Sequence, residues 1–61
     1  MITCRFKTLD NMLVEEINPI QEISFKNSEI HINNGFNVYT YSFNNIDFST
    51  FKLIYEENIN E

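Results

Sequence analysis

A nucleophile activated by a neighbouring histidine is one chemistry that this sequence could support. There is one cysteine, Cys4, and one histidine, His31. A nucleophilic cysteine needs a base beside it, and His31 is the only histidine that could serve. Cys4 alternates with Ile2 and Phe6 on an apolar face, whereas His31 is predicted on the polar face of a later strand. We therefore predict that they lie on opposite sides of a sheet and form no catalytic pair.

A metal site or a phosphate-binding loop is no better supported by the residue types. Glu29 and His31 share the face of one predicted strand, but two ligands at this spacing are common by chance. Phosphate loops of the P-loop and dinucleotide-binding types require several glycines, and Gly35 is the only glycine. The sequence predicts no metal and no cofactor.

Two pairs of adjacent glutamates remain as candidates for acid-base catalysis. They are Glu15-Glu16 and Glu56-Glu57. Neighbouring residues on a strand point to opposite faces, so such a pair cannot act on one substrate atom. We expect these pairs to be solvated edges, and we predict that the protein is not an enzyme.

The first half of the chain alternates between apolar and polar residues with the period of a strand. Residues 2–7 are predicted to form a half-buried strand, followed by a turn at 10–11. Residues 12–17 have both strand and short-helix character. Pro19 disfavours a helical backbone at the residue before it, so a second strand is favoured. Residues 21–25 alternate again, and so do residues 29–33.

The strongest local signal is Asn34-Gly35, which separates two alternating runs and is typical of a two-residue type I′ hairpin turn. That loop sets His31 opposite Val38. The expected core face carries Ile30, Ile32, Tyr39, Tyr41 and Phe43. The expected outer face carries Glu29, His31, Asn33, Phe36, Val38, Thr40 and Ser42. Phe36 and Val38 form an apolar island on this second face.

The last third of the chain is predicted to contain a turn at 44–45, a tight connection over 46–50 and a final strand over 51–55. Asp47 is a candidate cap for one helical turn in that connection. A helix over 47–57 is the alternative, because Phe48, Phe51 and Tyr55 have helical spacing.

The predicted fold class is all-β, a small antiparallel meander or a partly closed SH3-like barrel of five to six short strands. A mixed α+β fold with one short helix is the alternative. Residues 1–57 are expected to form a single domain, and residues 58–61 a frayed polar tail.

The length of 61 residues predicts association. A domain of this size buries about 60% of the surface that its unfolded chain exposes, and small domains usually need disulfides, a metal or a partner. One cysteine allows no internal disulfide. We expect a homo-oligomer, most simply a dimer. No apolar run reaches the length of a membrane span and no signal peptide is apparent, so we expect a cytoplasmic protein with no membrane contact.

Nine acidic residues against four basic ones give a net charge of −5. This charge argues against nucleic acid as a partner, because phosphate backbones are bound by clustered lysines and arginines. It favours a partner protein with a basic surface. Seven of the nine aromatic residues lie between Phe36 and Tyr55, and we interpret them as core. A base-stacking platform is the alternative.

Together these features predict a small acidic, non-enzymatic protein-protein interaction module. Asparagine and isoleucine, typical of AT-rich coding sequences, are abundant, which is consistent with a phage or plasmid source. Within the interaction class, the small size and the acidic surface favour a phage- or plasmid-type inhibitor of a host nucleic-acid-handling or defence protein, because an acidic surface can occupy a basic nucleic-acid-binding cleft. A structural subunit that forms a homo-oligomer is the first alternative, and a single-stranded nucleic-acid binder is the second. The candidate interaction residues are Glu29, His31, Phe36, Val38, Glu15, Glu16, Glu56 and Glu57.

Overall fold

A computed structural model describes residues 1–57 of the chain. Its strands are β1 (Ile2–Thr8), β2 (Val14–Ile17), β3 (Glu22–Lys26), β4 (Glu29–Asn33), β5 (Val38–Ser42) and β6 (Ile46–Tyr55). The all-β prediction is confirmed. Neither helical alternative, over 12–17 or over 47–57, is adopted within the described residues. The predicted tail over 58–61 lies outside them.

The six strands form two antiparallel three-stranded sheets, with the orders β2-β1-β6 and β3-β4-β5. The second sheet is a simple meander. The first is not, because β1 pairs with the last strand, setting Ile2 opposite Tyr55. Beyond that pair, the Glu56 amide donates a hydrogen bond of 2.8 Å to the Met1 carbonyl oxygen. The first and last strands are therefore neighbours in space.

The hairpin between β4 and β5 forms at the predicted place but with a longer loop. Asn33 pairs with Val38 rather than with Phe36, so residues 34–37 connect the strands. The Asn34 side-chain oxygen accepts from the amides of Phe36 at 2.9 Å and Asn37 at 2.7 Å, which favours the four-residue loop. The predicted register is wrong by two residues, and a shift of two leaves every side chain on its predicted face.

A two-residue turn with positive backbone angles does occur, in the preceding hairpin. Asn27 and Ser28 connect β3 to β4 with φ of 54° and 60°, as a type I′ turn requires. At the loop where this turn was predicted, only Gly35 has a positive φ, of 96°. The positive φ predicted at Gly35 is therefore correct. The type I′ turn, however, connects β3 to β4 and not β4 to β5, as was predicted.

The predicted tight connection over 46–50 is wrong. The helical turn lies earlier, at Phe43–Asn45, and its N-cap is Ser42, whose hydroxyl accepts from the Asn44 amide at 3.3 Å. Ile46 then begins β6 and is 3% exposed. As part of a strand the Ile46 side chain is buried, whereas in a surface turn it would remain in solvent. The free energy of burying it therefore outweighs the local preference for a turn.

The core lies where the two sheets meet. Its buried apolar residues come from both sheets and are Cys4, Phe6, Ile17, Ile30, Ile32 and Ile46. The Phe6 ring of β1 meets the Tyr41 ring of β5 edge-on, with centroids 4.9 Å apart and planes at 83°. It also stacks on Phe51 of β6 at 5.8 Å. Phe6 therefore joins the sheets.

The prediction that the aromatic residues form the core is correct only in part. Tyr41 and Phe43 pack against the core, but Tyr39 is 36% exposed. Phe36, Phe48 and Tyr55 are also exposed. A domain of this length has a small interior that cannot hold nine aromatic rings, so several of them remain in contact with solvent.

Candidate functional site

Cys4 and His31 are apart, but they lie in different sheets, on β1 and β4, rather than on opposite sides of one sheet as predicted. Cys4 is completely buried in the core, and burial raises the pKa of its thiol to about 11. His31 is half-buried on the face of β4 opposite the buried Ile30 and Ile32. A thiol that holds its proton so tightly is a poor nucleophile.

The surroundings of His31 offer little for metal binding. Its Nε2 lies 3.4 Å from the Glu29 Oε1 without forming a hydrogen bond, and its Nδ1 lies 3.5 Å from the Thr40 hydroxyl. Among residues 1–57 no three histidine, cysteine, aspartate or glutamate side chains are grouped closely enough to hold a metal ion. Within the same residues no helix is long and apolar enough to cross a membrane.

The four residues predicted as an outer-face patch are divided between the two ends of the hairpin. Phe36 is 87% exposed at the loop, and Val38 beside it is 60% exposed at the start of β5. Glu29 lies at the opposite end of β4, paired with Ser42. His31 is between these ends. Phe36 and Val38 are thus an exposed apolar pair at the loop, separate from Glu29.

The two predicted acidic pairs lie on different edges of the β2-β1-β6 sheet. Glu15 and Glu16 belong to β2, whereas Glu56 and Glu57 follow β6. Glu16 is partly neutralised, because Arg5 donates to its Oε2 through both Nε, at 2.8 Å, and Nη2, at 2.5 Å. The four glutamates do not form one continuous acidic surface on a single edge.

Strand β5 presents an open edge that the sequence analysis did not identify. Its one pairing partner within residues 1–57 is β4. The Asn34 amide donates to the Asn37 carbonyl oxygen at 3.1 Å. In an antiparallel ladder, alternate residues bond to the partner, so Tyr39 and Tyr41 bond towards β4. The backbone groups of Val38 and Thr40 consequently point outward.

The other three edges carry features that discourage pairing with another chain. Strand β2 has two glutamates and Pro19 follows it, β3 begins and ends with a charged residue, and β6 is bulged and carries Asp47 and Lys52. Charges, prolines and bulges are the devices by which sheet edges avoid association.

Strand β5 has none of these features. Residues 30–46 contain no aspartate, glutamate, lysine or arginine and no proline. The strand sequence, Val-Tyr-Thr-Tyr-Ser, consists of residues that favour extended backbone. This uncharged run was visible in the sequence, but it becomes informative only when β5 is known to be an edge.

Comparisons with protein-family models, with curated proteins and with solved structures found no match. A function for this chain is therefore inferred from its own geometry. Its most distinctive surface is the β5 edge, defined here as the outward backbone of Val38 and Thr40 with the exposed side chains of Phe36, Val38 and Tyr39.

Proposed function

We propose that this chain is a non-enzymatic protein-protein interaction module and that the β5 edge is its binding surface. The observation that carries the proposal is an uncharged, unprotected sheet edge on a domain whose three other edges are protected. An extended segment can be added to such an edge through main-chain hydrogen bonds, with alternate side chains supplying specificity.

The occupant that we propose is the β5 strand of a second copy. Two copies can pair antiparallel about a two-fold axis at Thr40, which sets Thr40 opposite itself and Val38 opposite Ser42 of the other copy. No charge opposes another in this arrangement, because β5 carries none. Threonine pairs across antiparallel strands are favourable. A continuous six-stranded sheet would also supply the association that so short a chain needs.

The test is the mass of the protein in solution, measured by gel filtration with light scattering. The wild-type chain is expected at twice its monomer mass of 7.3 kDa. Thr40→Lys sets two like charges opposite each other at the axis and should give the monomer. Ser24→Lys is the matched control, because Ser24, His31 and Thr40 lie in one row across the sheet. It adds the same charge to the same face, at the far edge, and should leave the dimer intact.

Circular dichroism confirms that each variant is folded, and Val38→Lys replaces Thr40→Lys if the latter is not. A wild-type chain that stays monomeric at millimolar concentration would contradict the proposal. Equal dissociation of the Ser24→Lys and Thr40→Lys variants would also contradict it. That result would mean that an added lysine dissociates the dimer equally whether it lies on the β3 edge or on the β5 edge.

Within this class we also propose the narrower role of a phage- or plasmid-type inhibitor that acts in the host cytoplasm on a protein with a basic surface. The net charge of −5 supports it, since an acidic protein associates faster with a basic cleft. The reduced, buried Cys4 is compatible with the cytoplasm. Replacing Glu15, Glu16, Glu56 and Glu57 together with glutamine should slow association with such a host protein. An unchanged association rate would contradict this role.

A further inference from the structure

Three of the four cationic side chains of this acidic protein line one pocket. Arg5 and Lys7 come from β1 and Lys52 from β6, and the pocket encloses about 270 Å³. The hydroxyl-bearing residues Ser49 and Thr50 complete its polar wall. The fourth cation, Lys26, lies at the end of β3 in the other sheet.

The pocket is built by an irregularity in the pairing of β1 with β6. The register jumps from Arg5 opposite Lys52 to Lys7 opposite Asp47, so residues 48–51 of β6 bulge away from β1. The Thr50 hydroxyl accepts from the Lys7 amide at 2.9 Å and donates to the Asp47 carbonyl oxygen at 2.6 Å. These bonds fix the bulge, and the pocket is therefore formed before any ligand arrives.

The charges around the bulge are not fully compensated. Arg5 and Lys52 are directly opposed across the two strands, an arrangement that destabilises a sheet. Arg5 is paired with Glu16. Among residues 1–57, Lys7 and Lys52 have no carboxylate oxygen within 4.0 Å. Asp47 lies opposite Lys7, but its Oδ1 accepts from both the amide and the hydroxyl of Ser49.

We propose that this pocket binds a small phosphate-bearing molecule, a phosphate monoester or free phosphate. A phosphate carries nearly two negative charges and three acceptor oxygens, which match two unpaired ammonium groups and the N–H groups of Arg5 that Glu16 leaves free. Arginine and lysine are the side chains that bind phosphate best. The exposed Val14 side chain supplies an apolar wall for a short organic substituent.

The direct test is a titration of the full chain with inorganic phosphate at low, constant ionic strength, followed by amide chemical shifts. Saturable shifts are expected at Lys7, Ser49, Thr50 and Lys52. Lys7→Gln and Lys52→Gln should each weaken binding tenfold or more. Lys26→Gln removes the same charge outside the pocket and should bind phosphate as the wild type does.

Two further results discriminate a site from a general charge effect. Lys52→Gln relieves the like-charge contact with Arg5, so it should raise the thermal midpoint of the phosphate-free protein while it abolishes the further rise that phosphate gives the wild type. Shifts that grow linearly without saturation would overturn the proposal. Equal weakening by Lys26→Gln, or equally tight binding of acetate, would overturn it as well.

Discussion

Replacing Phe6 with leucine tests whether the two sheets are stabilised by one shared core. Phe6 is 1% exposed and contacts the rings of Tyr41 and Phe51. An aromatic pair contributes about 0.5–1.5 kcal/mol beyond its buried area. Losing both pairs should therefore lower the free energy of unfolding by about 1–3 kcal/mol. That is a large share of the roughly 3–9 kcal/mol expected for a chain of this length.

The assay is urea denaturation followed by circular dichroism at one fixed protein concentration. With a slope of about 1 kcal/mol per molar urea, the midpoint should fall by about 1–3 M. Tyr55→Leu is the control, because its ring is 69% exposed, lies outside the β5 edge, and its loss should change stability by less than about 0.5 kcal/mol.

A double-mutant cycle with Tyr41→Leu isolates the contact between the sheets. We expect a coupling energy of about 0.5–1.5 kcal/mol between Phe6 and Tyr41. A coupling below about 0.3 kcal/mol, or a Phe6→Leu variant as stable as Tyr55→Leu, would refute the reasoning that Phe6 joins the two sheets.

Three other predictions concern local structure. Ser28→Gly removes a side chain from a residue with φ of 60° and should stabilise the protein by about 0.5–1 kcal/mol, seen as a higher thermal midpoint; an unchanged or lower midpoint would contradict the strained turn. Gly35→Ala should lose about 1–2 kcal/mol in urea denaturation, because φ is 96° and the new Cβ would lie 3.3 Å from the Gln21 Oε1; wild-type stability would contradict this. The Cys4 thiol, with its pKa of about 11, should resist thiol reagents at pH 8 until urea unfolds the chain, and rapid labelling of the native protein would show otherwise.

The raised pKa of Cys4 also gives a pH dependence. The folded state holds the thiol proton more tightly than the unfolded state, whose pKa is near 9.0. Stability from this group is therefore complete below pH 9 and is lost as the pH rises towards 11. Thermal midpoints should fall over this range less steeply in Cys4→Ala than in the wild type, and parallel curves would contradict the assignment.

Local strand structure was predictable because alternation of apolar and polar residues is a property of neighbours along the chain. Residues 29–33 form β4 as predicted, and the faces of β4 and β5 are correct even though their register is not. The loop between β4 and β5 was predicted two residues too short because Asn34 accepts hydrogen bonds from two later amides. That side-chain contact depends on loop geometry, which residue preference alone does not reveal.

The two proposed binding surfaces were not predictable for a different reason, because both depend on contacts between distant segments. The phosphate pocket requires Lys52 to lie opposite Arg5, a pairing of the last strand with the first. The β5 edge requires β5 to lack a second neighbour. Alternation within one segment carries no information on either point. The predicted acidic pairs and His31 were chosen by residue type, and the fold does not gather them into one site.

Amide hydrogen exchange at the two faces of β5 tests self-association most directly. The amides of Tyr39 and Tyr41 bond towards β4 and should be protected at every protein concentration. The amides of Val38 and Thr40 point outward and should be protected only where the dimer is populated, with protection that rises with concentration. Equally fast exchange of Val38 and Thr40 in dilute and concentrated wild-type protein would contradict pairing through this edge.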